Sequence, residues 1–287
     1  PAAKRPETAK VKRSQLAINT ASLRCEDLPA DLAAIRAAGF AKVEFSLAQV
    51  HEYLQRGGAI AALQTRLKEL DLQTIGGFRN AVISFASAAE IAENRERILA
   101  DATILKELGA HSLVAGCDAP NSGQLDLAAL EKIAASFAAV AHSLARFDVD
   151  LLLEFNWGPV KSIATARRVC EMTRAENVGI LFDPAHYYFT PAKAEMLTPE
   201  LVGWIRHVHV DNMRAVPPEY GNCNADRVLP GDPQGCLDLG QLFGAIESGG
   251  YAGDFSIEMF SQELWSLPID AAAQRMYQSL LPLTTGE

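Results

Sequence analysis

Three acidic residues and one histidine stand near the ends of apolar runs, where ionisable side chains are uncommon. The runs are "DLLLEFN", "VGILFDP", "WIRHVHVDN" and "DFSIEMF", and the four residues are Glu154, Asp183, His209 and Glu258. Three carboxylates brought together beside an imidazole would repel one another and lose hydration unless a cation lay between them. We therefore predict that these four side chains hold one divalent metal ion.

The ligand types narrow the choice of metal without selecting one. Three oxygens and one nitrogen, without a thiolate, suit Mn²⁺, Mg²⁺ or Co²⁺, and Zn²⁺ is a further candidate. Taken singly, each residue has a plainer interpretation, since a strand glutamate usually faces solvent and an inward histidine is usually hydrogen-bonded in the core. Four of them at matching positions favour the metal site.

The elements that position these residues follow from the hydrophobic pattern. Eight apolar runs, at 15–20, 42–47, 72–78, 112–117, 150–156, 178–184, 204–212 and 254–260, alternate with alanine-rich segments of helical period. This alternation is typical of repeated βα units around a parallel sheet. Eight such units in a chain of 287 residues predict an α/β fold, a single-domain (β/α)8 TIM barrel. We assign residues 14–287 to the barrel and residues 1–13 to a flexible N-terminal arm.

Strand geometry predicts which further polar side chains enter the barrel. His207 and His209 are two positions apart in one run, so they point to the same face. His207 either orients a metal ligand or is a plain core histidine. Glu44, in the second run, faces the interior if the alternation holds, where it binds substrate hydroxyls or pairs with an arginine.

Residues beyond the strand ends are candidates for substrate contact. Segment 213–236 is long and rich in Pro, Gly and Asn, which is typical of a functional loop. His186 lies three residues after Asp183 and is placed to donate to a substrate oxygen. Asp211 either caps the next segment or contacts substrate, and Trp157 either stacks on a sugar ring or belongs to the core.

Charge and composition exclude several classes of partner. The net charge of −9 disfavours nucleic acid and anionic membranes. No stretch approaches the roughly 18 uncharged apolar residues of a membrane span, and the first 13 residues lack the apolar segment of a secretory signal. Five cysteines without a CxxC pair indicate reduced, cytoplasmic thiols, and Cys223 and Cys236, which flank one loop, are expected to be free.

Taken together, the motifs "LEFN", "FDPAHYY", "HVHVDN", "DRVLPGD" and "SIEMF" resemble the xylose-isomerase-like family of sugar isomerases and epimerases. From the seventh strand onward the chain is most similar to the inosose (ketoinositol) isomerases. The resemblance covers nearly the whole barrel and lies in the order of the motifs. The sequence departs from the family in "PGDPQGCLDL", where relatives usually have a shorter "PGxGxIDL". This difference concerns the identity of the substrate more than the type of reaction.

The resemblance implies roles for individual residues. It implies a metal held by Glu154, Asp183, His209 and Glu258, with the two glutamates also acting as an acid/base pair on opposite faces of the sugar. It implies that His186 and Arg227 contact substrate oxygens, with Arg214 as a further candidate. It also implies a homo-oligomer, a dimer or a tetramer.

These observations predict proton transfer through an enediolate, which yields an isomerase or an epimerase acting on a small carbohydrate or cyclitol. A lyase on the same metal site is the nearest alternative, because the same enediolate eliminates or decarboxylates when a leaving group is present. A non-catalytic sugar-binding barrel is less favoured. An abasic-site endonuclease needs more histidines, and a Schiff-base aldolase needs a strand-end lysine where the sixth strand has Asp183.

Overall fold

The computed structural model describes residues 11–190, 194–217 and 219–285. Within them the chain forms ten strands: β1 (Leu16–Asn19), β2 (Lys42–Ser46), β3 (Gln73–Phe78), β4 (Ser112–Ala115), β5 (Asp150–Glu154), β6 (Val178–Phe182), β7 (Ile205–Val210), β8 (Asn212–Met213), β9 (Arg227–Val228) and β10 (Phe255–Ile257). Strands β1 to β7 and β10 are parallel and close into a barrel in the order β1-β10-β7-β6-β5-β4-β3-β2. The predicted (β/α)8 barrel is confirmed, and each barrel strand lies within the apolar run predicted for it.

Helices follow the strands and cover the barrel. In the described residues they are α1 (Leu28–Ala38), α2 (Leu47–Gln55), α3 (Ile60–Glu69), α4 (Ala88–Glu107), α5 (Leu127–Leu144), α6 (Ile163–Thr173), α7 (Pro184–Tyr188), α8 (Pro199–Val202), α9 (Leu239–Ser248), α10 (Gln262–Trp265) and α11 (Ile269–Leu280). Several begin at a side chain that accepts a hydrogen bond from a first-turn amide, such as Asp27 before α1 and Ser87 before α4. Gly39 follows the last residue of α1, and its φ of 118° is left-handed, as is common just after a helix C-terminus.

One helical segment, Leu127–Phe147, is long and apolar enough to cross a membrane by length and composition alone, with a mean hydropathy of 1.3. It comprises α5 and the 3₁₀ turn that follows. Helix α5 packs against β5 and α6, and its buried face includes Ile133, Phe137 and Leu144. The structure therefore accommodates this segment as a covering helix of the barrel.

The barrel has different cores outside and inside its strands. Outward residues such as Leu153, Phe182 and Val208 belong to one large apolar cluster beneath the helices. Inside, the apolar cluster consists of Val114, Leu152 and Leu181, with Phe78 packed against it. Since strand side chains alternate, the next inward-facing residues after Leu152 and Leu181 are Glu154 and Asp183, two positions later in the chain. The interior is therefore apolar around this cluster and ionisable next to it, at the C-terminal ends of the strands.

The loop predicted at 213–236 is partly regular. Strands β8 and β9 pair antiparallel, with Met213 opposite Arg227, and Arg214 forms a further bridge with Gly235. This ladder holds Arg227 at the C-terminal end of the barrel strands. The expected substrate loop is therefore anchored at its base by backbone hydrogen bonds.

Of the predicted arm, residues 1–10 lie outside the described residues. Val11 is buried and forms a parallel bridge with Thr284. The assignment of residues 1–13 to a flexible arm stays a prediction. All five cysteines are free, as expected.

Candidate active site

The four predicted metal ligands converge at the C-terminal ends of the strands. Glu154 ends β5, Asp183 follows β6, His209 lies in β7, and Glu258 follows β10. All four are buried, and one ligand atom from each lies within 4.8 Å of the others. The structure thus brings together the side chains that the strand-end pattern selected.

Local sequence sets the direction of Asp183. It is the N-cap of α7, and its Oδ1 accepts a hydrogen bond of 2.9 Å from the His186 amide, with Pro184 at the first helical position. The other oxygen, Oδ2, lies 3.4 Å from Nδ1 of His209. The same Nδ1 lies 3.3 Å from Oε2 of Glu258. One edge of the His209 ring therefore faces the two carboxylates.

Arg227 is a fully buried cation at the same cluster. Its Nη1 lies 2.9 Å from Oε2 of Glu258 and 2.9 Å from Oδ2 of Asp211, and its Nη2 lies 3.0 Å from Oδ2 of Asp183. Its Nε donates to the Cys223 carbonyl at 3.0 Å. The guanidinium therefore links the long loop to three carboxylates of the barrel.

Burial and charge oppose each other at these carboxylates. Burial alone would raise the pKa of Asp183, but Arg227 lowers it below the usual value. Burial would also raise the pKa of Glu258, which His209 and Arg227 hold below its usual value. Burial and the neighbouring Asp183 raise the pKa of Asp211 well above normal. Asp211 thus favours its protonated form while the two proposed ligands favour the ionised form.

A third carboxylate, Glu44, faces the opposite edge of the His209 ring. Nε2 of this ring lies 3.1 Å from Oε2 of Glu44, which also lies 3.1 Å from Nε2 of His207. Burial would lower the pKa of His209, but Glu258 and Glu44 raise it well above its usual value. Burial would raise the pKa of Glu44, and the two histidines lower it. An imidazole thus separates Glu44 from the carboxylates of the strand ends.

Glu154 is held by His186 of α7, which contacts Asn156 of the loop after β5. Its Oε1 lies 3.0 Å from Nε2 of His186, and Asn156 places its side-chain nitrogen 3.1 Å from Nδ1 of the same ring. Nε2 of His186 carries the hydrogen that points to the Glu154 carboxylate. Burial would lower the pKa of His186, but Asp183 raises it well above its usual value.

A cavity of about 230 Å³ opens directly beside these groups. Its polar lining includes Glu154, His186, Arg227 and Glu258, together with Asn156, Cys223 and Asn224, and its aromatic walls are Phe78, Trp157 and Phe260. Trp157 packs edge-on against Phe78, with ring centroids 6.3 Å apart. The turn after Trp157 requires Gly158, whose φ is 114° and whose added Cβ would lie 2.0 Å from the Cys117 carbonyl oxygen. The cavity offers polar and aromatic surfaces suited to a small polyhydroxylated ring.

The remaining predicted substrate residues fall in different places. His186, Arg227 and Trp157 line the cavity, as a substrate contact requires. Glu44 and Asp211 are fully buried and are not part of that lining. Asp211 contacts Arg227, and Glu44 lies behind His209.

Arg214, the further candidate, is exposed and likewise outside the cavity lining. Its backbone pairs with Gly235 at the base of the loop.

Sequence reasoning missed four polar residues of the site. Asn19 donates to Oε1 of Glu258 at 3.0 Å, and Asn156 orients His186. Cys223 and Asn224 bring the long loop to the cavity. Asn19 could have been found by the rule that found the ligands, because it is a polar residue that ends an apolar strand.

The donor set fits a divalent cation. Carboxylate oxygens and an imidazole nitrogen are ligands that Mn²⁺, Mg²⁺, Co²⁺ and Zn²⁺ all accept, and the four ligand atoms are close enough to surround one ion. Among the described residues, Arg227 is the one arginine or lysine in ion-pair contact with Asp183, Asp211 or Glu258. Negative charge therefore exceeds permanent positive charge at the site, which a metal ion would balance.

Comparisons with known proteins agree with this fold. A sequence model described as "Xylose isomerase-like TIM barrel" matches residues 32–280. An L-ribulose 3-epimerase from Mesorhizobium japonicum is 25% identical over 259 residues, covering 85% of this chain and 80% of that protein. An inosose isomerase from Halalkalibacterium halodurans is 26% identical over 129 residues. That match spans 44% of this chain and 45% of the relative, which is less than half of either protein.

A solved structure described as the IOLI protein with a binding zinc atom has the same fold. It superposes with a TM-score of 0.81 at 22% identity and covers 94% of this chain and 97% of that one. At this level of identity the likeness bears on the fold.

Proposed function

Because the chain belongs to the xylose isomerase-like TIM barrel family, we propose that it is a divalent-metal-dependent isomerase or epimerase of a ketose or ketoinositol. The observation that carries the proposal is the meeting of Glu154, Asp183, His209 and Glu258 around one point, beside a cavity. The names of the relatives above, an L-ribulose 3-epimerase and an inosose isomerase, support the substrate class. Mn²⁺ is the first metal to test, followed by Mg²⁺, Co²⁺ and Zn²⁺.

The chemistry to be catalysed is removal of a hydrogen next to a carbonyl. Such a hydrogen is too weakly acidic to leave at neutral pH unless the enolate oxygen is stabilised. A bound divalent ion supplies that stabilisation as a Lewis acid, worth several kcal/mol. The protein residues must then supply a base, an acid and a fixed orientation of the substrate.

Glu154 and Glu258 are the proposed acid/base pair. Both line the cavity, and they are held independently, Glu154 by His186 and Glu258 by Asn19 and Arg227. One carboxylate takes the proton, and the other returns it to the adjacent carbon or to the opposite face. Each such transfer typically contributes about 10² to 10⁴ in rate. The carbon that receives the proton distinguishes isomerisation from epimerisation.

Other residues of the cavity bind and orient the substrate in this proposal. His186 and Arg227 line the cavity and contact substrate oxygens in it, and Trp157 packs against the apolar face of the ring. Asp211 acts on the substrate through Arg227, which it contacts. We also propose a cytoplasmic homo-oligomer that binds neither nucleic acid nor membrane, in line with the net charge of −9 and the free cysteines.

Solvent isotope incorporation tests the proposal. The Mn²⁺-loaded protein is incubated in D₂O with ketoinositols, ketopentoses and ketohexoses, and products are analysed by mass spectrometry and NMR. We expect a product of unchanged composition that carries one deuterium at the carbon that received the proton. A product without deuterium would count strongly against the enediolate route and favour a hydride shift or an enclosed proton relay. A product that has lost water or CO₂ would identify the lyase alternative, and absence of turnover would favour a binding protein.

A further inference from the structure

A buried glutamate and histidine lie behind His209, on the side away from the cavity. Glu44 is on β2 and His207 is on β7, and these strands are not neighbours in the barrel. Contact between their side chains therefore crosses the barrel interior. Glu44 has no exposed surface and His207 is 3% exposed, so water does not compete for either.

The hydrogen-bond partners of Glu44 define the direction of both rings. Its Oε2 lies 3.1 Å from Nε2 of His207 and 3.1 Å from Nε2 of His209, and its Oε1 lies 3.3 Å from the latter. An ionised carboxylate only accepts hydrogen bonds, so each of these nitrogens must donate. A histidine that binds a metal is neutral and carries one hydrogen, so a metal-binding His209 that donates from Nε2 has a bare lone pair on Nδ1.

That bare nitrogen faces the proposed metal site. Nδ1 of His209 is the ring atom next to Asp183 and Glu258, at 3.4 and 3.3 Å. The tautomer that Glu44 selects is therefore the one that binds a metal at this position. The opposite tautomer would direct a hydrogen at the metal and leave the Glu44 carboxylate short of a donor in a dry interior.

We propose that Glu44 is a positioning residue, which holds His209 with its hydrogen on Nε2 and its lone pair toward the metal, while His207 supplies a second donor that keeps the carboxylate in place. The inference rests on the proposed metal site. It assigns Glu44 a role behind the ligand in place of the substrate contact expected from the sequence. It also selects the first of the two alternatives for His207, the orientation of a ligand.

The test compares metal affinity in two matched variants of the full chain. In Glu44→Gln, the shape is kept but the charge is lost. Both carboxylate oxygens lie within 3.3 Å of Nε2 of His209, so the amide NH2 group that replaces one of them brings a donor against that nitrogen. In Asp101→Asn, the same kind of change is made at another buried carboxylate, which lies 2.6 Å from Nε2 of His51, a residue outside the candidate site. Chelator competition with Zn²⁺ and Mn²⁺ measures the dissociation constant, and circular dichroism checks the fold.

We expect Glu44→Gln to bind metal about 10- to 100-fold more weakly than wild type, as is typical when the partner of a metal-bound histidine is lost. Asp101→Asn should bind as wild type does. Equal affinity in all three proteins would overturn the inference. Binding of two ions by wild type, with one lost in Glu44→Gln, would also overturn it, because Glu44, His207 and His209 would then hold a second metal.

A measurement on the wild type decides the matter if Glu44→Gln does not fold. In zinc-loaded protein labelled with ¹⁵N-histidine, Nε2 of His209 should carry a slowly exchanging hydrogen. The resonance is assigned by its absence from the His209→Asn variant. A hydrogen on Nδ1, or none on Nε2, would overturn the inference. Failure of the proposed function shows differently, as a wild type that binds no divalent ion or turns over no substrate.

Discussion

Replacing Glu258 by glutamine is expected to lower kcat by about 10²- to 10⁴-fold, the usual contribution of a general acid or base. Oε1 of Glu258 accepts a hydrogen bond from Asn19, and Oε2 contacts Arg227 and His209. Glutamine keeps the volume but cannot take a proton from substrate, and it binds a cation less tightly. Steady-state kinetics with the best substrate from the screen, at saturating metal, measures the change.

The matched control is Glu263→Gln, at a glutamate of α10 whose side chain is 69% exposed and pairs with Arg275. It should leave kcat unchanged. Glu154→Gln should also lower kcat strongly. One of the two active-site variants should still exchange the substrate hydrogen with D₂O while forming no product. Turnover by Glu258→Gln within a few-fold of wild type would contradict its role as acid or base.

Replacing Arg227 by methionine is expected to destabilise the metal-free protein by about 3–5 kcal/mol, because it leaves the buried, ionised Asp183 and Glu258 without their cation. The side chain is 1% exposed and contacts Asp183, Asp211 and Glu258 within 3.0 Å. Urea denaturation in the presence of chelator measures the free energy of unfolding. Added metal should restore part of the lost stability, since a divalent ion binds to the same carboxylates.

Arg275→Met is the control for this change. Arg275 pairs with Glu263, and their side chains are 45% and 69% exposed, so its loss should cost no more than about 1 kcal/mol. If Arg227→Met were no less stable than this control, Arg227 would not be the cation that the buried carboxylates need.

The barrel and the proposed ligands could be predicted because each leaves a local signature. A strand buried on both faces is a continuous apolar run, so an acid near its end, such as Glu154 or Asp183, stands out. The same end of every barrel strand faces the site, so strand-end positions translate into proximity. The positions of these acids along the sequence therefore predicted that their side chains meet at one end of the barrel.

The hydrogen bonds that orient the ligands could not be predicted in this way. The contact between Glu44 and His207 joins positions 163 residues apart and exists because the closed barrel brings side chains of β2 and β7 together across its interior. Asn156 has a left-handed φ of 67° in a tight turn, a place where asparagine is common for purely conformational reasons. Its contact with His186 has no separate signal in the sequence. Hydrogen-bond partners that depend on barrel closure or on turn geometry are therefore known from the structure and not from the sequence.

The central claim is that Glu154, Asp183, His209 and Glu258 hold one divalent metal ion. Anomalous scattering from crystals grown with Mn²⁺ tests it most directly, combined with elemental analysis of the same preparation. We predict one metal ion per chain and a single anomalous peak among these four side chains, in contact with Nδ1 of His209. An absence of anomalous signal there at saturating Mn²⁺, or four side chains still paired only with Arg227 and one another, would contradict the account.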